Sequence, residues 1–304
     1  MRKVEDLLQI FTHLNVNKTG NHRAPHKPLL LLLVLARWQT EGKTEFLYDD
    51  IAPQLKPLLK EYGPPHVKNP NPSNPFWYLQ SDGVWHLIDP KEPDSLSHMN
   101  APQVTLFREH GVFGTLAEDL WYHLKNTPGF LNKMVRTILA SHFEYSLHQD
   151  ILDSLQLYVS VEEEALYQPR QPGEKLKRDP HFRISVLRAY NYECAVCAFK
   201  AMLDTTPVGI EAAHVQWHTH HGPDIIPNGI ALCSLHHKLF DRGVFTVDED
   251  HKIKVSDAAH GSGMYLHLME HFHEQELREP KHSYEAVAEN HRQWHVSEVF
   301  RGYN

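Results

Sequence analysis

Residues 194–241 contain Cys194-Ala-Val-Cys197, Glu211-Ala-Ala-His214, Asn228-Gly229 and Leu232-Cys233-Ser-Leu-His236-His237-Lys-Leu-Phe240-Asp241. Cys194, Cys197, Cys233 and His236 have the composition and paired spacing of a closed tetrahedral zinc site, with one pair on a knuckle and one at a helix start. Adjacent residues on a helix turn about 100° apart. His236 and His237 therefore belong to two different sites, and His214, Asn228 and His237 remain for the second. Asn228 and His237 are nine residues apart, about 180° out of phase on a continuous helix, so they converge only if Asn228 precedes the helix. Pro227 and Gly229 favour that break.

Together with the closing Trp294-His295-x-x-x-Val299-Phe300-Arg301-Gly302, this region resembles the HNH nuclease family, whose ββα-metal module puts a His at a strand end, an Asn in the next loop and a His on the helix. The resemblance implies that His214 is the general base that takes a proton from water, and that Asn228 and His237 hold or position a divalent ion, Mg2+, Mn2+ or another. Many members carry an Asp just before the first His. Here that position is Ala213, and Glu211 is a candidate ligand.

The chain has 25 His, so a lone His carries little weight. His218, His220, His221, His267, His271 and His273 read as surface or loop positions. The alternative for the cysteines is a buried, reduced core position, above all for Cys233 after Leu232.

At 304 residues and 41% hydrophobic, the chain has the size and composition of two domains. Its three cysteines cannot form a paired disulfide framework and all fall in the zinc motif, which places the expectation in a reducing cytoplasm. The start, Met-Arg-Lys-Val-Glu-Asp, lacks a signal-peptide pattern, and the apolar run Leu29–Ala36 is far shorter than the roughly 20 residues of a membrane span. A net charge of −8 leaves no broadly basic region, so DNA binding would rest on local patches and a specific handle.

A polar, Pro-containing stretch predicts a division into a domain at 1–160, a linker at 161–178 and a domain at 179–304. Upstream of it, Val4–Leu14 has helical spacing. Lys27–Trp38 predicts a strongly apolar helix with Pro28 in its first turn and Gly42 at its end, and Tyr48–Tyr62 predicts another helix. Residues 63–75 hold five prolines and predict irregular structure. Asp82-Gly83 between apolar runs predicts a hairpin, and 107–143 predicts closing helices. The fold class expected is α+β: a mainly helical N-terminal domain with a small hairpin, plus a C-terminal ββα-metal domain with a structural zinc.

A second resemblance rests on Asn21-His22-Arg23-Ala-Pro-His-Lys27-Pro28, Asn74-Pro75-Phe76-Trp77-Tyr78-Leu79-Gln80 and Asp82-Gly83-x-Trp85. These look like the sulfur-binding domain of restriction endonucleases that act on phosphorothioate DNA, in which sulfur replaces a non-bridging phosphate oxygen. The resemblance implies that Asn74, Pro75 and Tyr78 line a sulfur pocket, while His22 and Arg23 contact backbone and base edges. Sulfur is less strongly hydrated than oxygen, so an apolar pocket favours it. The blander alternatives are loop punctuation for Pro75, core for Trp77 and a solvated helix entrance for Arg23 and Lys27. The expected function is a modification-dependent endonuclease cutting double-stranded DNA, as a homodimer or by successive nicks. A reader of a methylated base or a plain sequence, and a non-catalytic zinc-containing DNA-binding protein, are the alternatives.

Overall fold

The computed structural model describes residues 1–15, 24–159 and 180–302. The stretch read as a linker, 161–178, lies outside the described residues. Two compact units emerge, one of Met1–Gly63 with Val67–Arg170, the other of Pro64–His66 with Gln171–Asn304. Among the described residues, no helix is long and apolar enough to cross a membrane.

The first unit is built round helix α2 (His26–Glu41), which follows α1 (Val4–Thr12). Every residue from Lys27 to Ala36 is buried. A helix apolar on all sides must be enclosed on all sides, and α3 (Tyr48–Tyr62), α4 (Ser73–Tyr78), α7 (Phe130–His142) and α8 (His148–Leu155) pack against it. Gly42 ends α2 in the left-handed region, as the sequence predicts. Strands β1 (Phe46–Leu47), β2 (Trp85–Ile88) and β3 (Phe113–Leu116) form an antiparallel sheet in the order β1-β3-β2. Helices α5 (Val104–His110) and α6 (Glu118–Asn126) flank β3 in sequence.

Three expectations are corrected here. The run at Phe76 is helical, and Asp82-Gly83 makes no hairpin: Trp85 pairs instead with Leu116. Gly83 takes φ +66 at the end of a 3-10 turn, so the turn signal was real but its partner strand lies far along the chain. The proline-rich stretch closes in α4, where Pro75 is the third helical residue and removes an N–H that has no intrahelical acceptor. The closing helices are interrupted by β3. Gly114 is needed in that strand because a Cβ would come within 1.9 Å of the Trp85 ring.

In the second unit α9 (Pro180–Ala189) leads into the Cys194–Cys197 knuckle and a short hairpin, β4 (Met202–Leu203) with β5 (Thr206–Pro207). β6 (Ile210–His214) and β7 (Gly229–Cys233) then pair antiparallel in the register Ile210 to Cys233 and His214 to Gly229. Helix α10 (Ser234–Asp241) starts at once, with Cys233 as its extended cap residue, and packs on both strands. The hairpin of β8 (Phe245–Val247) and β9 (Ile253–Val255), then α11 (Met264–Leu268) and α12 (Glu289–Glu298), complete the unit. The order β6, β7, α10 is the expected ββα module, and the class is α+β.

Candidate nuclease and metal sites

The Sγ atoms of Cys194, Cys197 and Cys233 and one ring nitrogen of His236 all lie within 4.8 Å of one another. The knuckle is fixed to the sheet by the Ala195 N–H donating to Ala231 O at 2.8 Å. His236 is fully buried, and its Nε2–H donates to Leu268 O at 2.6 Å, leaving the Nδ1 lone pair toward the sulfurs. Nδ1 lies 3.5 Å from Cys194 Sγ and 3.1 Å from Cys233 Sγ. A tetrahedral ion with metal–sulfur near 2.3 Å and metal–nitrogen near 2.0 Å would separate such atoms by about 3.5 Å. The Cys194 and Cys197 thiols hold the Cys233 thiol far below its ordinary range. Burial opposes charge on His236, but the Cys197 and Cys233 sulfurs raise its pKa to about 10. The donor set and the Cys233 thiolate suit a metal cation, which would displace the Nδ1 proton of His236 on binding.

His237 turns away from this cluster. Its Nδ1 lies 2.6 Å from Glu211 Oε2 and its Nε2 lies 3.2 Å from Asp241 Oδ2. Burial lowers its proton affinity, yet Asp241 and Glu211 together raise its pKa to about 10. The His237 hydrogen bond in turn holds Glu211 below the usual carboxylate range. Asp241 is buried and also accepts from Trp217 Nε1–H at 3.2 Å. Glu211 is half exposed and accepts from Ser234 Oγ at 2.6 Å. Opposite ring nitrogens meet the two carboxylates, so an ion bound by His237 takes one as partner and leaves the other to orient the ring. The i, i+4 spacing of His237 and Asp241 on one helix was a readable signal for Asp241, which the sequence reading missed.

His214 ends β6, and its Nε2 lies 2.7 Å from Asp224 Oδ1. Its ring stacks on Phe182 at 4.0 Å and 13°. Asp224 belongs to the loop between β6 and β7, and His218 Nε2 lies 3.8 Å from its other oxygen. His218 is a loop position, as the sequence reading has it, but its side chain is only 14% exposed. A cavity of about 240 Å³ opens beside this pair, bounded by Phe182, Ser185, Asp224, Ile226, Pro227 and Glu285.

Asn228 is fully buried. Its Oδ1 accepts from the Gln216 N–H at 2.8 Å, while Nδ2 donates to the Gln216 and Pro223 carbonyls, both at 3.0 Å. The amide thus pins the loop, using both Nδ2 hydrogens and one of the two Oδ1 lone pairs. Gly222 lets the backbone close there, since a Cβ would lie 1.8 Å from Gln216 O.

In the first unit, α4 presents Asn74 and Tyr78 at the surface and buries Pro75. Phe76 is seated beneath by Trp85, whose Nε1–H donates to Phe76 O at 2.9 Å, and Trp77 stacks on Phe107, in the core as its blander alternative held. Lys27 is no solvated entrance. It is 6% exposed, and its Nζ donates to Asn15 O at 2.5 Å, Ser81 Oγ at 3.1 Å and Asp82 Oδ2 at 2.6 Å. His22 and Arg23 lie outside the described residues. A cavity of about 500 Å³, bounded by Tyr48, Lys56, Asn71, Pro72 and Arg108, lies beside the start of α4.

Comparison with known families finds two matches. The family described as ScoMcrA-like, DNA sulfur-binding domain, matches residues 4–160, and the family described as HNH endonuclease matches residues 194–248. Among solved structures, the sulfur binding domain of SprMcrA complexed with phosphorothioated DNA shares 22% identity, with a TM-score of 0.41, over 52% of this chain and 96% of that one. The sulfur binding domain of ScoMcrA complexed with phosphorothioated DNA shares 20%, with a TM-score of 0.43, over 49% of this chain and 94% of that one. The type IV phosphorothioation-dependent restriction endonuclease ScoMcrA shares 16%, with a TM-score of 0.38, over 48% of this chain and 28% of that one. No curated protein matches the chain.

Proposed function

The chain belongs to the family of the ScoMcrA-like DNA sulfur-binding domain, which spans just over half of it, and from that premise we propose that it is an endonuclease that binds phosphorothioate-modified DNA and hydrolyses a nearby phosphodiester bond. The observation that carries this reading is the union, in one chain, of that domain with an HNH endonuclease domain. The role is defence against foreign DNA bearing the modification.

Recognition rests on desolvation. A phosphate oxygen gives up strong hydration on entering an apolar recess, whereas sulfur gives up less. Asn74 and Tyr78 form the exposed face of the reading turn, with Pro75 beneath, and His22 and Arg23 supply contacts to backbone and base edges. In the nuclease domain His214 is the general base that removes a proton from the attacking water. His237, with Glu211 on its open side, would hold a divalent ion such as Mg2+ or Mn2+, and Asp241 would orient the ring from the buried side. Such an ion, when bound, polarises the phosphate and offsets charge on the departing 3′ oxygen. Asn228 serves by positioning the loop. Cys194, Cys197, Cys233 and His236 would hold a structural zinc. A reduced cytoplasm suits these free thiols. One nuclease site per chain makes a double-strand break the work of a homodimer or of two successive nicks.

The test is cleavage of matched duplexes with and without one defined phosphorothioate, in the presence of a divalent ion. Cutting confined to the modified duplex, leaving 5′-phosphate and 3′-hydroxyl ends, is the expected result. Equal cutting of both would instead favour a reader of a methylated base or of plain sequence.

A further inference from the structure

Asp224 has no part in the scheme above, yet its carboxylate meets the ring of the proposed base at hydrogen-bond distance. Both side chains are about a tenth exposed, 9% for His214 and 10% for Asp224, with His214 Nε2 2.7 Å from Asp224 Oδ1. A carboxylate only accepts, and a neutral imidazole has one N–H and one lone pair. The contact therefore selects the tautomer with the proton on Nε2 and puts the lone pair on Nδ1. Phe182, stacked on the ring, limits rotation out of that orientation.

We propose that Asp224 is the positioning residue of the general base: it fixes which nitrogen of His214 receives the proton and stabilises the imidazolium that results. This rests on the reading of His214 as the base. In the step, an O–H bond of water breaks and its proton goes to His214 Nδ1. The water oxygen bonds to phosphorus, the bond from phosphorus to the 3′ oxygen breaks, and that oxygen leaves with the electron pair and is protonated by solvent. The positive charge left on the ring faces Asp224, as in other His–carboxylate pairs that act in catalysis.

The fold shows how a loop residue is placed for this. The backbone of 215–228 closes on the buried Asn228 amide, and the Val215 N–H donates to Asn228 O at 2.9 Å. Asn228 Nδ2 holds the carbonyl of Pro223, the residue directly before Asp224. Asn228 thus acts on the base at second hand, through the backbone that carries Asp224. His218, 3.8 Å from the second oxygen, is too far for a hydrogen bond.

The experiment uses the full chain as wild type, Asp224→Asn, Asp224→Glu, His214→Ala and the double variant His214→Ala with Asp224→Asn. Single-turnover cleavage and the Kd for one phosphorothioate duplex are read together with long-range proton–nitrogen spectra of the histidine rings. The His214 signal is identified by its loss in His214→Ala. Asp224→Asn should lose about 10²–10⁴-fold in cleavage at unchanged Kd, and Asp224→Glu should recover part of the rate. The Asn change should add no further loss once His214 is gone, because it acts through that ring. The spectra should show His214 with its proton on Nε2 in the wild type and a mixture of tautomers in Asp224→Asn. Wild-type cleavage by Asp224→Asn, an undiminished loss in the His214→Ala background, or a wild-type ring protonated on Nδ1 would overturn the proposal. If the wild type cuts no duplex at all, the cleavage assignment fails, and the tautomer spectra still decide the pair.

Discussion

In the C-terminal unit, two of the proposed site residues are deep and tied to backbone: Asn228 and His236 are fully buried, and Leu268, Gln216 and Pro223 offer carbonyls to them. In the N-terminal unit the proposed reading turn exposes Asn74 and Tyr78, and its support lies underneath, in Phe76, Trp85 and the Lys27–Asp82 pair. The difference has a physical basis. A hydrolytic site gains from fixed geometry and excluded water, whereas a surface that reads DNA must stay open to it. Substitutions in the C-terminal unit should therefore couple stability to rate, and those on the reading turn should change affinity alone.

The largest effect should come from the cysteine cluster. Structural zinc contributes on the order of 10 kcal/mol to small domains, so Cys233→Ser or strong chelation should unfold the C-terminal unit and leave the N-terminal transition in place. Elemental analysis should find about one zinc per chain; folded, active protein without zinc would remove the four-ligand assignment. Next comes His214→Ala, which should cut about 10²–10⁴-fold more slowly at unchanged Kd for DNA, with a lower melting point of the C-terminal unit from the lost stack on Phe182. Wild-type cutting would remove His214 from the mechanism.

Lys27→Met sharpens the comparison from the other side. It leaves Asp82, whose side chain is 3% exposed, with the Asn15 N–H but no countercharge, and breaking a buried pair costs about 3–5 kcal/mol at most. Thermal unfolding of the N-terminal unit should register that loss, with the C-terminal transition unmoved. An unchanged midpoint would show that the pair is not what anchors the turn.

The smallest effect concerns Arg2 and Asp119, joined at 2.7 Å. The Arg2 hydrogen bond lowers the Asp119 pKa from its ordinary 3.8 to about 2. A depressed carboxylate contributes stability that is full above the unfolded value and disappears as pH falls through the folded one. Exposed in part, the pair should give about 1 kcal/mol or less. Asp119→Asn should thus lower the melting point slightly at pH 6 and not at pH 2. A gap that persists at pH 2 would point to packing rather than charge.

The sequence made the metal cluster and α2 legible because both are encoded locally: the ligands come as two Cys-x-x pairs, and Lys27–Ala36 is buried without interruption. The sheet was hidden because Trp85 finds its partner at Leu116, a pairing that no neighbouring residue announces. Phe76 and Trp77 suggested a strand by their β-prone side chains, but tertiary burial against Trp85 and Phe107 holds them in a helix. Asp224 and His218 gave no local signal, since the loop carrying them takes its path from an asparagine several residues on. Glu211 was readable only as a candidate ligand, and its contact with His237 not at all, because strand and helix meet across the module rather than along it.

The central claim is that one chain reads sulfur in DNA and then cuts it. The most direct measurement is the affinity of full-length His214→Ala for two duplexes that differ by one phosphorothioate, taken at a stated salt concentration and across several flanking sequences. The modified duplex should bind much more tightly, a preference that Pro75→Gly should erase by removing apolar surface and loosening the turn. Equal affinity for both duplexes in every sequence context would contradict it.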